Sequence, residues 1–150
     1  GGQNIGGWVD HFYYVYEEVS GDIDISVRLA SVSNGWAAGG LMIRDSLDFG
    51  SSFSALISEY MSTTYAITRF DYYTPSPYLQ STPVTENVWY RLVKVGSTVS
   101  SYTSLDGVNW QLSSTETITI GDTFLVGLAG VTVESSPTTE FVFDNLSVNQ

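Results

Sequence analysis

Trp89-Tyr90-Arg91-Leu92 and Ser104-Leu105-Asp106-Gly107-Val108-Asn109-Trp110 bracket the stretch, residues 89–110, whose reading decides the fold. Between them Val93 and Val95 lead to Gly96-Ser97, and Val99 to Tyr102 return toward a second tight turn at Asp106-Gly107. Two-residue turns containing glycine, flanked by alternating apolar residues, are the local signature of β-hairpins.

Alternation continues outward from this hairpin. Ile23, Ile25, Val27 and Leu29 point one way and Asp22, Asp24, Ser26 and Arg28 the other, which predicts a strand with one wet face. Further strands are expected at Phe12–Val19, Trp36–Arg44, Phe53–Tyr60, Thr64–Tyr72, Val88–Val95, Thr98–Ser104, Trp110–Ser114, Phe124–Val133 and Phe141–Val148. Turn residues separate them at Ser20-Gly21, Ser33-Asn34-Gly35, Asp48-Phe49-Gly50-Ser51, Gly121-Asp122 and Ser135-Ser136-Pro137. About ten short strands at this spacing predict an all-β, two-sheet antiparallel β-sandwich of jelly-roll type. Asp71 to Glu86 holds three of the four prolines and reads as a long surface loop.

The 150 residues have the size of one module, 1–150, with one core. A hydrophobic content of 43% argues against a disordered polyelectrolyte, and no apolar run approaches the length of a membrane-spanning helix. Five basic against 16 acidic residues give a net charge of −11, which repels phosphate backbones and anionic lipid, so neither nucleic acid nor membrane is expected as a partner. Arg28, Arg44, Arg69, Arg91 and Lys94 fall singly in predicted strands and read as partners for carboxylates. The absence of cysteine removes disulfides, thiolate metal sites and a cysteine nucleophile together. Richness in Ser, Thr, Tyr, Gly and Asn with few Lys suggests an exported surface protein. Gly1-Gly2-Gln3 is not the start of a signal peptide, so the expectation is one module of a larger extracellular protein.

Several motifs in combination carry a family resemblance. They are Tyr13-Tyr14-Val15-Tyr16, Ser20-Gly21-Asp22, the run from Trp36 to Asp48 around Gly39-Gly40-Leu41-Met42-Ile43-Arg44, Val126-Gly127-Leu128-Ala129 and Phe143-Asp144-Asn145-Leu146-Ser147-Val148, together with the two quoted above. The chain resembles the concanavalin A-like, laminin G-like jelly-roll modules of secreted multidomain proteins. That resemblance implies an antiparallel β-sandwich of the kind attached to glycoside hydrolases, adhesins and cell-surface proteins, and it leaves function to the site.

A glucanase on such a fold needs carboxylates paired across one glycosidic bond. Asp22-Ile23-Asp24 comes nearest, yet Ser26 and Arg28 continue its face as an ordinary solvated strand. His11, the single histidine, beside Asp10 and Phe12, reads as an edge or loop residue and not as a catalytic base. Trp36, Trp89 and Trp110 are expected to fill the core or staple the hairpin, whereas Trp8 fits either a packing or a binding role. Phe70, Tyr72, Tyr73 and Tyr78 lie at a predicted strand end and in the proline-stiffened loop. Rings beside Asp71 suit a neutral polyol, whose CH groups pack on the rings while acid oxygens accept hydroxyl protons. Tyr72, Tyr73 and Tyr78 would then be platforms, with Asp71 and Arg69 orienting hydroxyls; the competing reading has these tyrosines covering the sandwich end or a neighbouring module.

Asp144 shares a face with Val142, Leu146 and Val148 by strict alternation, which predicts a buried acid. A buried carboxylate requires compensation. Jelly-roll carbohydrate modules resembling this chain hold a structural calcium ion near their terminal strands, so Asp144 is the expected metal ligand, with a β-bulge or an arginine partner as the alternatives. The leading expectation is therefore a noncatalytic extracellular module, secreted or cell-surface, that binds carbohydrate or a cell-surface glycan or supports adhesion beside neighbouring modules. The competing expectation is a structural spacer or protein-interaction module that binds no glycan.

Overall fold

A computed structural model describes residues 5–33, 37–59, 63–83, 87–132 and 138–150. Among them the chain forms strands β1 (Tyr13–Ser20), β2 (Ile23–Val32), β3 (Ala37–Arg44), β4 (Phe53–Glu59), β5 (Thr63–Arg69), β6 (Tyr78–Pro83), β7 (Val88–Val95), β8 (Thr98–Ser104), β9 (Gln111–Thr117), β10 (Thr123–Thr132) and β11 (Phe141–Asn149). They build two antiparallel sheets, one of six strands in the order β1-β10-β3-β4-β5-β6 and one of five in the order β11-β2-β7-β8-β9. The β-sandwich expected from sequence is the fold. Asn34, Gly35 and Trp36, the whole of the predicted Ser135-Ser136-Pro137 turn, and Tyr60, Glu86 and Val133 lie outside the described residues.

The core between the sheets is built by alternation. Ile23, Ile25, Val27 and Leu29 of β2 meet Val88, Tyr90 and Leu92 of β7 and Val99 of β8, and all face Leu41, Ile43, Leu56, Phe124 and Val126 of the other sheet. Full burial of one such aliphatic side chain stabilises by about 1.5–3 kcal/mol. Tyr90 is fully buried, and its hydroxyl is satisfied by Ser58 Oγ, itself 2.6 Å from Thr64 Oγ1. Burial pushes the Tyr90 phenol well above its ordinary value.

The outer face of the six-stranded sheet is dry as well. Met42, Phe53, Ala55, Ile57, Ile67, Ala129 and Val131 form a second buried cluster there with Ile5, and Phe12 and Tyr14 pack against it. Residues that precede β1 thus lie on this face. This explains why β3 and β4 read as continuous apolar runs, Leu41-Met42-Ile43 and Ala55-Leu56-Ile57, instead of alternating: both of their faces are covered.

Two expectations are corrected. The loop predicted from Asp71 to Glu86 ends at Pro77, because β6 follows it; Leu79 packs on the core and the strand pairs with β5 through a register shift at Ala66/Ile67. Pro83 is compatible with that strand because β6 is a sheet edge, where a missing N–H breaks no ladder. Among the described residues Lys94 has no carboxylate partner. It is buried, donates to Gly21 O at 3.2 Å and sits 4.3 Å from the Phe124 ring centroid.

Candidate functional site

One end of the six-stranded sheet gathers three pieces of chain: residues 5–12, the β3–β4 connection 45–52 and the β5–β6 connection 70–77. A buried ion cluster ties them. Asp10 Oδ1 accepts from Gly6 N at 2.9 Å and from Arg69 Nη2 at 2.8 Å, while Oδ2 accepts from Arg69 Nη1 at 2.8 Å and from Arg44 Nη1. Arg69 uses its remaining donors on Thr74 O, Ser51 O and Gly7 O, each at 3.0 Å. Arg44 donates to Ser46 O at 2.8 Å and to Asp48 O. Both guanidiniums also lie against Phe53, and Arg44 against Phe12. Every carboxylate oxygen is doubly satisfied, which is the condition for tolerating buried charge.

Above this cluster opens a cavity of about 300 Å³ lined by Asp10, His11, Phe12, Tyr13, Tyr14, Arg44, Leu47 and Phe49. Its aromatic wall has a sequence origin: Phe12, Tyr14 and Tyr16 alternate onto one face of the chain, with ring centroids 5.7 and 5.3 Å apart in succession. Tyr14 OH donates to Met42 O at 3.0 Å, and burial raises its phenol far above the ordinary range. The His11 and Phe49 rings lie 5.2 Å apart at the rim, where Leu47, Phe49 and Tyr13 are exposed.

Tyr73 stands on the opposite flank of the same loop. Its ring lies on Gly50, where a Cβ would come within 2.4 Å of it, so only glycine permits the contact. Tyr73 N donates to Gly50 O at 2.8 Å, and the Asp48 carboxylate, beside the Tyr73 hydroxyl, accepts from Gly50 N at 2.8 Å. The Tyr73 hydroxyl, with the bond from Gly50 N, holds the Asp48 carboxyl below its usual range, and the same carboxylate raises the Tyr73 phenol. Tyr73 adopts φ 54°, a left-handed conformation that bulky residues avoid, yet its ring remains exposed. Strain of about 1–3 kcal/mol at an exposed ring is retained only where the surroundings enforce it, and it marks candidate functional positions.

The structure separates the residues singled out from sequence. Asp71, Tyr72 and Tyr73 do stand together: Asp71 is exposed and accepts from Tyr72 N at 2.8 Å, and Tyr72 OH donates to Asp45 Oδ2 at 2.6 Å. Arg69 is a correction, since it is completely buried in the Asp10 cluster and has no free donor with which to orient a ligand. Tyr78 is a second correction: it lies on β6, edge-on to Tyr65 at 4.8 Å with its hydroxyl on Glu59 Oε1 at 2.9 Å, and not in the loop. Of the other cavity-lining residues, the sequence singles out His11 only as an edge or loop residue and assigns Phe12, Tyr14, Leu47 and Phe49 no binding role. The Phe12-x-Tyr14-x-Tyr16 alternation was their available signal; the contribution of the 45–52 loop had none.

Asp144 is a third correction. Its carboxylate is partly exposed and receives both Nε and Nη2 of Arg28, with Asn145 Nδ2 at 3.0 Å, and Arg28 holds its carboxyl below the usual range. The outward face of β11 is the one that carries Asp144, because Phe141 and Phe143 pack on the core while Val142, Leu146 and Val148 remain exposed. Both named alternatives to calcium are present, the arginine and a register shift between Asp144 and Ser147. Calcium needs six to eight oxygens. Among the described residues no group of three His, Cys, Asp or Glu side chains gathers at Asp144, whose two oxygens are both engaged by Arg28.

Trp89 and Trp110 face outward from the five-stranded sheet, half-buried. Arg28 lies over Trp89, and Arg91 lies over Tyr102 and Trp110 while pairing with Asp24 at 2.6 and 2.8 Å. Trp89 does staple the hairpin region, since its ring packs on Gly107, but Tyr90 is the core residue. Asp22 is engaged by Gly96 N at 2.9 Å, so the two acids of Asp22-Ile23-Asp24 are held apart by different partners.

No family model matches the sequence, and no curated protein matches it. Solved structures do. The carbohydrate-binding module CBM66 from Bacillus subtilis is 15% identical with a TM-score of 0.59, over 98% of this chain and 84% of that one. A legume lectin-like domain from Entamoeba histolytica is 11% identical with a TM-score of 0.60, over 99% and 82%. A xylan β-1,4-xylosidase from Bacillus halodurans C-125 is 14% identical with a TM-score of 0.65, over 93% of this chain but only 30% of its own. At these identities the likeness establishes the β-sandwich fold.

Proposed function

We propose that the chain is a noncatalytic carbohydrate-binding module of a larger secreted or cell-surface protein, and that it holds a saccharide across the 45–52 loop, between the cavity rimmed by His11 and Phe49 and the ring of Tyr73. One observation carries this reading: exposed rings stand around a cavity of about 300 Å³, at the small end of the range for ligand sites, with polar groups close by. Saccharide CH groups pack on ring faces, and carboxylates such as Asp48 and Asp71 accept hydroxyl protons. Two structural neighbours are a carbohydrate-binding module and a lectin-like domain. The noncatalytic reading is supported by the engagement of Asp22 and Asp24 with separate partners, and by an alignment that spans under a third of the xylosidase.

The test is a broad glycan array with the purified protein, in calcium and in chelator, followed by Phe49→Ala and Tyr73→Ala. Expected is a sugar signal that persists in chelator and falls at least tenfold in both variants, with melting temperature little changed. Equal binding by both variants would remove the proposed site.

A second reading, a protein-interaction module, has its own observation. Arg44, Arg69 and Lys94 are buried, so the accessible basic side chains, Arg28 and Arg91, lie together on the outer face of the five-stranded sheet beside Trp89, Tyr102 and Trp110. Arg, Trp and Tyr are the residues that dominate interface energetics. A blank glycan array together with loss of partner capture in Arg91→Glu would favour it.

A further inference from the structure

Asp10 does more than fill a gap in the packing; it is bound as a ligand would be. Two guanidiniums and one backbone N–H supply four donors to its two oxygens, the full complement that a free carboxylate accepts in a bidentate arginine site. The arginines come from β3 and β5, whereas Asp10 comes from the loop ahead of β1, so receptor and occupant belong to different parts of the fold.

The occupant is held by a short tether. Gly6 and Gly7 take φ 109° and 71°, and Gly7, Trp8 and Val9 are exposed; around Asp10, burial is confined to Ile5, Gly6 and Asp10 itself. Other contacts of the receptor come from outside the tether: Arg44 donates to Ser46 O and Asp48 O and lies against Phe53, and Arg69 donates to Thr74 O and Ser51 O and lies against the same ring. Arg44 also borders the open cavity, which gives a path from solvent. Of its five N–H bonds three have acceptors, so one each on Nη1 and Nη2 is unused among the described residues.

We propose that Arg44 and Arg69 form a carboxylate receptor on the outer face of the six-stranded sheet, that Asp10 occupies it as a tethered internal ligand, and that a free monocarboxylate entering from the cavity binds there when the Asp10 carboxylate is withdrawn. While Asp10 is present, its effective concentration, on the order of millimolar or higher for a short tether, keeps free carboxylates out. This proposal is independent of saccharide binding at the rim.

Formate is the probe, and Asp10→Ala is the variant. The melting temperature of Asp10→Ala is followed in sodium formate and in sodium chloride at equal ionic strength. Expected is a formate-specific rise that grows with the logarithm of concentration above half-saturation, as linkage requires, with no such rise in the native chain. Asp10→Asn, whose amide fills the space, is expected to show none. Identical curves in the two salts for Asp10→Ala, or an equal formate effect in all three proteins, overturns the proposal. Should Asp10→Ala fail to fold in chloride, its refolding from denaturant is read by near-ultraviolet circular dichroism: recovery in formate alone supports the receptor, and recovery in neither salt overturns it.

Discussion

Replacing Arg69 by methionine separates the two roles this residue has been given. On the sequence reading it orients sugar hydroxyls, so Arg69→Met would weaken binding and leave the fold intact. In the structure its side chain is inaccessible and its donors serve Asp10, Thr74, Ser51 and Gly7. Methionine keeps most of the stem but strands one buried carboxylate on Arg44 and Gly6 N and leaves three carbonyls short of a donor. Removing one partner of a buried ion pair costs about 3–5 kcal/mol. Against a total stability of about 5–15 kcal/mol this is a large fraction. For a chain of this size each kcal/mol lowers the melting temperature by about 2–4 °C, which gives a fall of about 6–20 °C. Arg91→Met is the control, because its pair with Asp24 is about one-third exposed and such a pair contributes about 1 kcal/mol or less. Thermal melts followed by circular dichroism at neutral pH decide the matter. An Arg69→Met melt within about 2 °C of the native one would refute the reasoning.

The acid and alkaline limits of stability follow from the shifted groups. Asp48, Asp106 and Asp144 titrate below the ordinary 3.8 in the folded chain, so their stabilisation is complete above that value and is lost as pH falls through it; melts from pH 6 to 2 should decline only at the acid end. Tyr14 and Tyr90 are raised above 10.0, so their contribution is intact below that pH and fades as pH climbs past it, and stability that stayed flat to pH 12 would contradict the burial of both phenols. Gly107→Ala meets two penalties, a left-handed φ of 74° and a Cβ 2.8 Å from the Trp89 ring, whereas Gly96→Ala at φ 59° meets only the first, about 1–2 kcal/mol. Urea midpoints should therefore rank Gly107→Ala well below Gly96→Ala; equal midpoints would mean that Trp89 does not staple this turn.

Much of the fold was legible because alternation is a local property. The β2, β7 and β8 segments announced their strands and inner faces residue by residue, and glycine turns fixed the hairpin at Gly96-Ser97. Strand β6 is hidden in the sequence by Pro75 and Pro77 ahead of it and by Pro83 at its end, which an edge strand tolerates. The candidate site was legible only in part: Asp71, Tyr72 and Tyr73 were placed on an end loop, but the rim formed by His11, Leu47 and Phe49 joins segments that nothing local connects.

By itself, then, the sequence determined the β-sandwich and which residues of a strand share a face. Which faces would be covered was decided by the tertiary structure. A period of two assigns Arg69 and Ile67 to one side without saying that residues 5–12 will close over it, and it puts Asp144 beside Val142 and Leu146 without saying that this side of an edge strand stays open. Burial depends on chain segments distant in sequence, and burial is what turned Arg69 into a buried clasp and left Tyr73 presenting its ring to solvent.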